Sequence, residues 1–263
     1  MNPMLINPAQ SRELSHAARL RMFQVKGEPL FHNDWLRVVF IHYEVDPEAL
    51  QREVPFPLDL DDGKAYLSLV AFTMRDMRPR LGGRLTALLL KPIATHKFLN
   101  VRAYVKHRGE TGIYFLVEWL SNPLSLLLGP RSFGLPYECA RLQYHHRHER
   151  GELRGTVSMP GSPHRLAYAC KINPQDEFQP CAAGSREEFL IERYTAFTQR
   201  NSRRRHFRIW HPPWPQASLD VSMLDESLLA ARWPMFRDAV VIGANYSPGI
   251  RDVWMGRPHK IRA

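Results

Sequence analysis

The sequence predicts an α+β fold that is mostly antiparallel β, with a few helices. Short segments rich in β-branched and aromatic residues recur along the chain and end at turns containing proline, glycine or aspartate, which is typical of strands. No internal repeat or long linker interrupts this pattern. We therefore predict one domain over residues 29–250, preceded by a helical extension (1–28) and followed by a tail (251–263).

The composition excludes several classes of protein. The 263 residues are 44% hydrophobic and carry a formal net charge of +10, from 36 basic and 26 acidic side chains. A disordered chain would hold fewer apolar residues, and a collagen would repeat glycine regularly. The positive charge permits contact with phosphates or anionic lipids, but it does not by itself indicate a reaction.

Several absences constrain the compartment and the cofactors. No apolar run reaches the roughly 20 residues of a membrane-spanning helix, and the first residues lack the pattern of a secretion signal. Cys139, Cys170 and Cys181 form no C-x-x-C pair and are odd in number, which argues against a disulfide framework or a zinc knuckle. We expect a cytoplasmic protein with no membrane partner, no metal and no cofactor.

A leading helix is predicted over Pro8–Met22, because Leu14, Ala18 and Met22 recur at four-residue spacing. The first strand is predicted over Trp35–Tyr43, which is β-branched and aromatic.

The next elements are punctuated by proline and glycine. Asp46 suits an N-cap with Pro47 at the first helical position, which predicts a short helix over Pro47–Arg52. Lys64–Met74 is predicted to be a second strand. Arg75–Lys97 contains Arg-Pro-Arg and Gly-Gly and is predicted to be a long loop that forms a lid or rim.

The clearest hairpin spans Val101–Trp119, with a turn centred on Glu110. This register pairs Arg102 with Glu118, Tyr104 with Leu116, and Lys106 with Tyr114 on one face. The opposite face is then apolar and consists of Val101, Ala103, Val105, Ile113, Phe115, Val117 and Trp119.

Later helices carry clear start signals. Asn122-Pro123 predicts a short helix through Leu124–Leu128. Ser185 and Glu188 form a capping box, which predicts a helix over Arg186–Arg200. The remaining predicted strands are Arg141–Arg150, Leu153–Val157 and Ala167–Ile172.

An ordered set of motifs resembles the YqjF-like family of bacterial proteins. The motifs are Phe40–Tyr43, Leu50, Val54-Pro55, Pro57-Leu58, Gly63–Tyr66, Asn100–Val105, Gly112–Phe115, Leu135–Tyr137, Phe189-Leu190-x-Glu192-Arg193-Tyr194 and His211–Trp214. The likeness covers roughly residues 31–221 and depends on the whole succession. Because that family is similar in turn to acetoacetate decarboxylase, the resemblance implies an antiparallel β-barrel that encloses a small-molecule cavity.

The resemblance also points to missing reactive groups. In the decarboxylase, a lysine after a proline forms a Schiff base with a β-keto acid, and a second lysine lowers the pKa of that amine. The residues that follow Pro136 here are Tyr137 and Glu138, and Phe98 stands where many family members carry a glutamate. Fold likeness cannot replace a missing nucleophile, which argues against decarboxylation through an imine.

Arg102, Tyr104 and Glu118 are one candidate site, because inside a barrel they would present a guanidinium, a phenol and a carboxyl group to a small organic anion. In the alternative interpretation, Arg102 and Glu118 form a cross-strand ion pair on a solvated sheet face. We predict that Arg102 holds the negative end of the ligand and that Glu118 orients this arginine or exchanges protons.

A second set of candidate site residues is Arg131, Tyr137 and Glu138. They lie in the segment that matches the lysine-bearing segment of acetoacetate decarboxylase, and we predict that Tyr137 donates a hydrogen bond to the ligand. Their alternative is a packed turn in which Pro136 fixes the backbone. Tyr104, Arg131 and Glu138 complete the predicted ligand-binding set, and Arg102, Glu118 and Tyr137 the predicted catalytic set.

Other polar groups have ordinary structural explanations. Lys97 is a candidate for the lost amine, although an exposed lysine is the usual case. Of His145, His146 and His148, only the last two would share a strand face, with no aspartate nearby to complete a metal site. Arg203–Arg208 is predicted to be a solvated basic loop.

Two functions remain open from the sequence. The first is a protein that binds a small organic acid or carbonyl compound in its cavity, with a lyase or hydrolase step that uses no Schiff base. The alternative is a non-enzymatic ligand-binding or interaction module whose basic loop contacts an anionic partner. No nucleic-acid recognition motif accompanies the basic run, and related barrels often assemble into homo-oligomers.

Overall fold

The structure of the protein, a computed structural model, describes residues 9–261. Its helices are α1 (Ala9–Phe23), α2 (Pro47–Glu53), α3 (Gly83–Leu90), α4 (Pro123–Ser132), α5 (Arg186–Ile191) and α6 (Ser227–Arg232). Its strands are β1 (Phe31–Val45), β2 (Ala65–Pro79), β3 (His96–His107), β4 (Glu110–Leu120), β5 (Tyr137–Cys139), β6 (Arg141–Arg147), β7 (Glu152–Ser158), β8 (Arg165–Lys171), β9 (Thr195–Arg200), β10 (Arg203–Trp210), β11 (Ala217–Ser218), β12 (Asp220–Asp225), β13 (Val240–Met255) and β14 (His259–Lys260). Short 3₁₀ turns lie at Lys91–Ile93, His148–Arg150 and Pro234–Arg237.

The strands form two sheets. The large sheet runs in the order β11-β13-β1-β2-β3-β4-β9-β10-β14, with β5 beside β4, and the small sheet runs in the order β12-β8-β7-β6. Only the pairings of β4 with β5 and with β9 are parallel among the described strands. The large sheet curls round, because β10 also pairs with β13. The mostly antiparallel α+β class is confirmed, whereas the closed barrel stays a prediction.

Central strands of the large sheet are buried on both faces. Along β3, residues 99, 101, 103 and 105 belong to an apolar core shared with the small sheet. Phe98 and Tyr104 belong to a second core on the other face of the strand, the face that also carries Asn100 and Arg102. Burial on both faces explains why these strands are nearly continuous apolar runs in the sequence.

The turn of the β3–β4 hairpin is centred between Arg108 and Gly109, before the predicted centre at Glu110. Arg108 and Gly109 have φ angles of 51° and 82°, and two consecutive positive φ values are those of a type I′ turn. The hairpin then closes on the pair of His107 with Glu110. The predicted turn centre was therefore wrong.

A β-bulge between Val101 and Arg102 shifts the register again. Arg102 lies opposite Phe115, and Glu118 lies opposite Asn100, so the predicted pairing of Arg102 with Glu118 was wrong. The other predicted pairs were wrong as well: Tyr104 pairs with Ile113, and Lys106 pairs with Thr111. Ile113 and Phe115, which were predicted to lie on the opposite face, belong to the second core together with Tyr104.

Two other elements differ from the prediction because tertiary pairing overrides local signals. The helix predicted over Arg186–Arg200 ends at Ile191, since Thr195–Arg200 pairs as β9 with both β10 and β4. The basic run Arg203–Arg208 is part of β10 rather than a loop. The segment Arg75–Lys97 is also not one loop, because it contains the end of β2, α3, a 3₁₀ turn and the start of β3.

The predicted helix caps are confirmed. The Asp46 carboxylate accepts hydrogen bonds from the amides of Glu48 and Ala49, and Asn122 Oδ1 accepts from the amide of Ser125. The three predicted strands of the small sheet are also present as β6, β7 and β8. The predicted tail boundary at residue 250 falls within β13.

Helix α1 buries two serines where an apolar stripe was predicted. Ala18 and Met22 are buried as expected, but Leu14 is 38% exposed. Ser11 and Ser15 are buried instead and donate hydrogen bonds to Glu188 and to the His211 carbonyl, respectively. Pro8 lies outside the described residues. Within residues 9–261, no helix combines the length and the apolar character needed to cross a bilayer.

Candidate functional site

The curled large sheet and the segment 191–214 enclose a cavity of about 70 Å³, here called the inner chamber. Its wall is largely aromatic and aliphatic, with Trp35, Phe40, Phe72, Phe115 and Trp214 among the lining residues. Its polar lining consists of Asn100, Arg102, Glu118, Tyr137, Arg193 and His211. One water molecule needs about 10–15 Å³ of such space, so the inner chamber can hold a small organic molecule.

Glu118 is a carboxylic acid kept out of water. Asn100 lies opposite it across the β3–β4 pair and hydrogen-bonds its carboxyl group, while Glu118 Oε2 is buried without a hydrogen-bond partner. Burial raises the pKa of Glu118 to about 8, against the opposing effect of the hydrogen bond from Asn100. At neutral pH this side chain is therefore a proton donor.

Arg102 is a buried cation with little compensation. Its Nη2 donates to the Leu190 carbonyl at 2.7 Å, and the guanidinium lies 5.5 Å from the Phe40 ring centroid. Its Nε is buried without a partner, and within the described part of the chain no carboxylate forms an ion pair with Arg102. A buried charge without a counter-ion is costly, so this side chain is suited to an anionic ligand.

Arg193 is a second guanidinium at the inner chamber, in a segment that was predicted only to be helical. Its Nη1 donates to Asp59 at 2.7 Å and its Nε to the Phe189 carbonyl at 2.6 Å, whereas Nη2 is buried without a partner. Burial lowers the pKa of Arg193, and the nearby Asp59 carboxylate opposes this effect. The sequence signal that could have identified Arg193 is the pair of charged residues Glu192 and Arg193 within an otherwise apolar stretch.

The β5 strand separates two neighbouring candidates. Tyr137 is the partner of Glu118 in the parallel pairing of β5 with β4, and it lines the inner chamber. Burial, together with the nearby Glu118 carboxyl group, raises the pKa of Tyr137 well above its usual value. Glu138 makes a two-pronged ion pair with Arg232, at 2.6 and 2.7 Å, and is not among the lining residues. Alternation along a strand explains why one side chain points in and the next points away.

Two further candidates do not line the inner chamber. The Tyr104 hydroxyl donates to the Leu190 carbonyl at 2.8 Å and hydrogen-bonds Ser68, so its polar group is already engaged. Arg131 is exposed on α4, where its Nη1 donates to the Leu127 carbonyl. The structure thus brings Arg102, Glu118 and Tyr137 together, but not Tyr104, Arg131 and Glu138.

Lys97 lies on the opposite face of β3 from Phe98. Its Nζ is 5.6 Å from the Tyr144 ring centroid, toward the small sheet. No lysine is among the described residues that line the inner chamber. These lining residues therefore provide no side-chain amine that could form an imine with a bound carbonyl compound.

The predicted histidine cluster is divided by its hydrogen bonds. His146 bonds the Arg37 carbonyl and the Tyr168 hydroxyl, and His148 bonds the Tyr246 hydroxyl. Among residues 9–261, no group of three or more histidine, cysteine or acidic side chains is arranged to hold a metal ion.

His211 and Glu192 form a buried pair beside the inner chamber. Glu192 accepts hydrogen bonds from the Tyr194 hydroxyl at 2.5 Å and from the Trp214 amide at 2.8 Å. Burial raises the pKa of Glu192 to about 7 and lowers that of His211 to about 4. Because the imidazole of His211 is neutral at pH 7, Arg102 and Arg193 supply the positive charge of the inner chamber.

An apolar cavity of about 340 Å³, here called the outer chamber, adjoins the inner one. It lies between α4, the 3₁₀ turn Lys91–Ile93 and the start of β1. The two chambers have five lining residues in common: Met74, Phe98, Leu135, Tyr137 and Met255.

The fold is that of the acetoacetate decarboxylase-like enzymes. The chain is similar to “Enduracididine biosynthesis enzyme MppR complexed with pyruvate”, with a TM-score of 0.60, 15% identity and coverage of 88% of this chain and 90% of that one. It is also similar to an acetoacetate decarboxylase-like enzyme from Sphingomonas wittichii RW1, with a TM-score of 0.56, 15% identity and coverage of 90% and 94%.

The family follows from the sequence comparison. Residues 32–250 match DUF2071, described as “Uncharacterized conserved protein (COG2071)”, and the chain belongs to this family. It is 27% identical over 187 residues to the “Uncharacterized protein YqjF” of Bacillus subtilis (strain 168). The matched region covers 70% of this chain and 74% of that protein. The resemblance found in the motifs is thereby confirmed.

Proposed function

We propose that the protein binds a small organic acid that carries a carbonyl group in the inner chamber. One observation supports this proposal above all: four buried polar atoms without partners belong to residues that line this one cavity. They are Asn100 Oδ1, Arg102 Nε, Glu118 Oε2 and Arg193 Nη2. The four residues are between 5% and 8% exposed, so these atoms are shielded from bulk solvent and face the cavity that a ligand would occupy.

The charges of the inner chamber suit an anion. Arg102 would hold the carboxylate of the ligand, with Arg193 as a second cation nearby. Protonated Glu118 neither repels the anion nor neutralises Arg102, and it can donate a hydrogen bond to a carbonyl oxygen. Tyr137 would donate a second hydrogen bond.

The reaction class that fits these groups is a lyase or hydrolase step assisted by proton donation, without an imine. Glu118 is the proton donor in this proposal, because its pKa of about 8 lies close to physiological pH. MppR, a protein of similar fold, has been described in complex with pyruvate, which is an oxo acid, and this supports the ligand class.

Calorimetric titration with pyruvate and with acetoacetate tests the proposal. Replacing Arg102 by methionine keeps the length of the side chain but removes its charge, and it should weaken binding by about 100-fold or more. Arg131→Met is the matched control, since Arg131 is exposed on α4 and lines neither chamber. Binding should also weaken above about pH 8, where Glu118 becomes an anion beside the ligand.

The outcome depends on both affinity and folding. The melting temperature of Arg102→Met should stay near that of the wild type. Unchanged binding by a folded Arg102→Met variant would contradict the proposed anion site, and loss of the fold would assign Arg102 to structure.

The alternative function, an interaction module for an anionic partner, is favoured by one separate feature. A surface groove is lined by His107, Arg108, Gln199, Ser202, Arg203, Arg204, Lys260 and Ile261, with no acidic side chain among these described residues. Arg203, Arg204 and Lys260 are exposed, so the first two arginines of the basic run face solvent at the start of β10.

Ionic strength distinguishes the two functions. Binding of polyglutamate to the groove should fall steeply with added salt and with Arg203→Ala or Arg204→Ala, because exposed charges are screened. Binding of pyruvate to the inner chamber should respond weakly to both changes. Polyglutamate binding that resists salt would contradict the surface function.

A further inference from the structure

The outer chamber is built for an apolar group. Its lining contains leucine, isoleucine, phenylalanine and methionine side chains, with Ser125 and His96 among the few polar groups. Burial lowers the pKa of His96 to about 4, so its imidazole is neutral at pH 7. The outer chamber therefore offers no charge to a ligand, whereas the inner chamber offers two guanidinium groups.

Flexible side chains separate the two chambers. Met74 and Met255 line both cavities, and methionine adapts its shape more readily than branched side chains do. Phe98 and Tyr137, whose ring centroids are 5.7 Å apart, complete the shared wall. A ligand chain that extends from the inner chamber would pass this wall into apolar space.

The outer chamber reaches the surface beside exposed leucines. Leu128 lines the outer chamber and is also 47% exposed, so the cavity opens at α4. Helix α3 carries three leucines that are between 63% and 78% exposed: Leu85, Leu88 and Leu89. The Asn122 side chain donates to the Pro92 carbonyl at 2.7 Å, which joins the start of α4 to the 3₁₀ turn that follows α3. An apolar rim of this kind favours the access of an apolar ligand.

We propose that the ligand is an oxo acid with an apolar chain, whose carboxylate lies in the inner chamber and whose chain occupies the outer chamber. This inference rests on the proposed function and narrows its substrate class. It accounts for a polar cavity of about 70 Å³ that adjoins an apolar cavity of about 340 Å³, an arrangement with more apolar space than a three-carbon acid would fill. The first methylene groups of such a chain would contact the mainly apolar side chains that line both chambers.

A series of 2-oxo acids tests the inference with the whole protein. Affinities for pyruvate, 2-oxohexanoate and 2-oxooctanoate are measured by calorimetry. Each methylene that enters the outer chamber should raise affinity by about threefold to fourfold.

Two variants on the same helix locate the chain. Leu128→Trp should fill the mouth of the outer chamber and lower the affinity for 2-oxooctanoate at least tenfold, while pyruvate binding stays within about twofold of the wild type. Leu127→Trp is the matched control, because Leu127 is 49% exposed and does not line the outer chamber. Ile93→Trp provides a second obstruction from the 3₁₀ turn, a different element that also lines the outer chamber.

The possible failures are distinguishable. Pyruvate binding without any gain along the series would overturn the chain site and leave the proposed function intact. No binding of any acid by the wild type would contradict the proposed function itself. A gain that survives in both Leu128→Trp and Ile93→Trp would place the chain elsewhere on the protein and overturn the inference.

Discussion

Asn100 lies directly opposite Glu118 in the β3–β4 pair and hydrogen-bonds its carboxyl group, while Glu118 Oε2 has no partner. The hydrogen bond favours the charged form of the carboxyl group, but burial disfavours it more strongly. Glu118 is therefore neutral at pH 7 and cannot serve as the counter-ion of Arg102. This leaves the positive charge of Arg102 available to a ligand.

The first prediction concerns the pH dependence of stability. Glu118 has a pKa of about 8 in the folded protein and 4.5 as its ordinary value, so between these pH values the folded state binds the proton more tightly. The contribution of Glu118 to the free energy of unfolding is complete below about pH 4 and is lost as the pH rises through about 8. Glu118→Gln should remove this loss.

Urea denaturation at a series of pH values measures the effect. Relative to the wild type, Glu118→Gln should gain stability from pH 5 to pH 8, by an amount on the order of a few kcal/mol. Glu138→Gln is the control, because Glu138 is about one-third exposed and pairs with Arg232. Parallel profiles for Glu118→Gln and the wild type would show that Glu118 is ionised in the native state.

The second prediction compares two ion pairs of different burial. The side chains of Arg193 and Asp59 are 5% and 13% exposed, whereas those of Arg232 and Glu138 are 35% and 32% exposed. Asp59→Ala leaves a buried guanidinium without its carboxylate and should lower the free energy of unfolding by about 3–5 kcal/mol. Glu138→Ala should cost about 1 kcal/mol or less. Equal losses in urea denaturation would refute this ranking.

The third prediction concerns two glycines of the β3–β4 hairpin. A Cβ on Gly112 would lie 2.4 Å from the Thr195 carbonyl oxygen, while a Cβ on Gly109 would meet nothing within 4 Å. Gly109→Ala should therefore cost only the backbone strain of its φ of 82°, about 1–2 kcal/mol. Gly112→Ala should cost more, because β4 and β9 must separate. Denaturation midpoints that place Gly109→Ala below Gly112→Ala would contradict the close contact.

The fourth prediction concerns thiol reactivity. Cys139 is exposed, whereas Cys170 and Cys181 are buried, and burial raises the pKa of Cys170 to about 12. Burial raises the pKa of Cys181 as well. Because the thiolate is the reactive form, an aromatic disulfide reagent should titrate one thiol rapidly and the other two only after unfolding. Cys139→Ser should abolish the rapid phase, and a rapid phase that persists would indicate that a buried thiol is accessible.

The fifth prediction tests imine chemistry. Lys97 points away from the inner chamber, toward Tyr144. Borohydride reduction in the presence of acetoacetate should therefore leave Lys97 unmodified, as measured by peptide mass spectrometry. A reduced adduct at Lys97 would restore a Schiff-base mechanism, and Lys97→Arg would then have to abolish it.

The sequence by itself determined the mostly antiparallel fold, the family and most helix starts. These features depend on local physics, since strand composition, proline positions and capping side chains act over a few residues, as the caps at Asp46 and Asn122 show. It also placed Arg102, Glu118 and Tyr137 among the candidates. The sequence also shows that Tyr137 and Glu138, and no lysine, follow Pro136.

Only the tertiary structure decided which polar groups meet. The turn at Arg108-Gly109 sets a register that separates Arg102 from Glu118, and the bulge at Val101–Arg102 then puts Asn100 opposite Glu118. A bulge leaves no clear local signal in the sequence. Arg193 reaches the inner chamber because β9 pairs between β4 and β10 and ends the helix at Ile191, against its local propensity. The two-chamber cavity arises from the curl of the sheet and the position of α4, which are long-range contacts that no short stretch of sequence specifies.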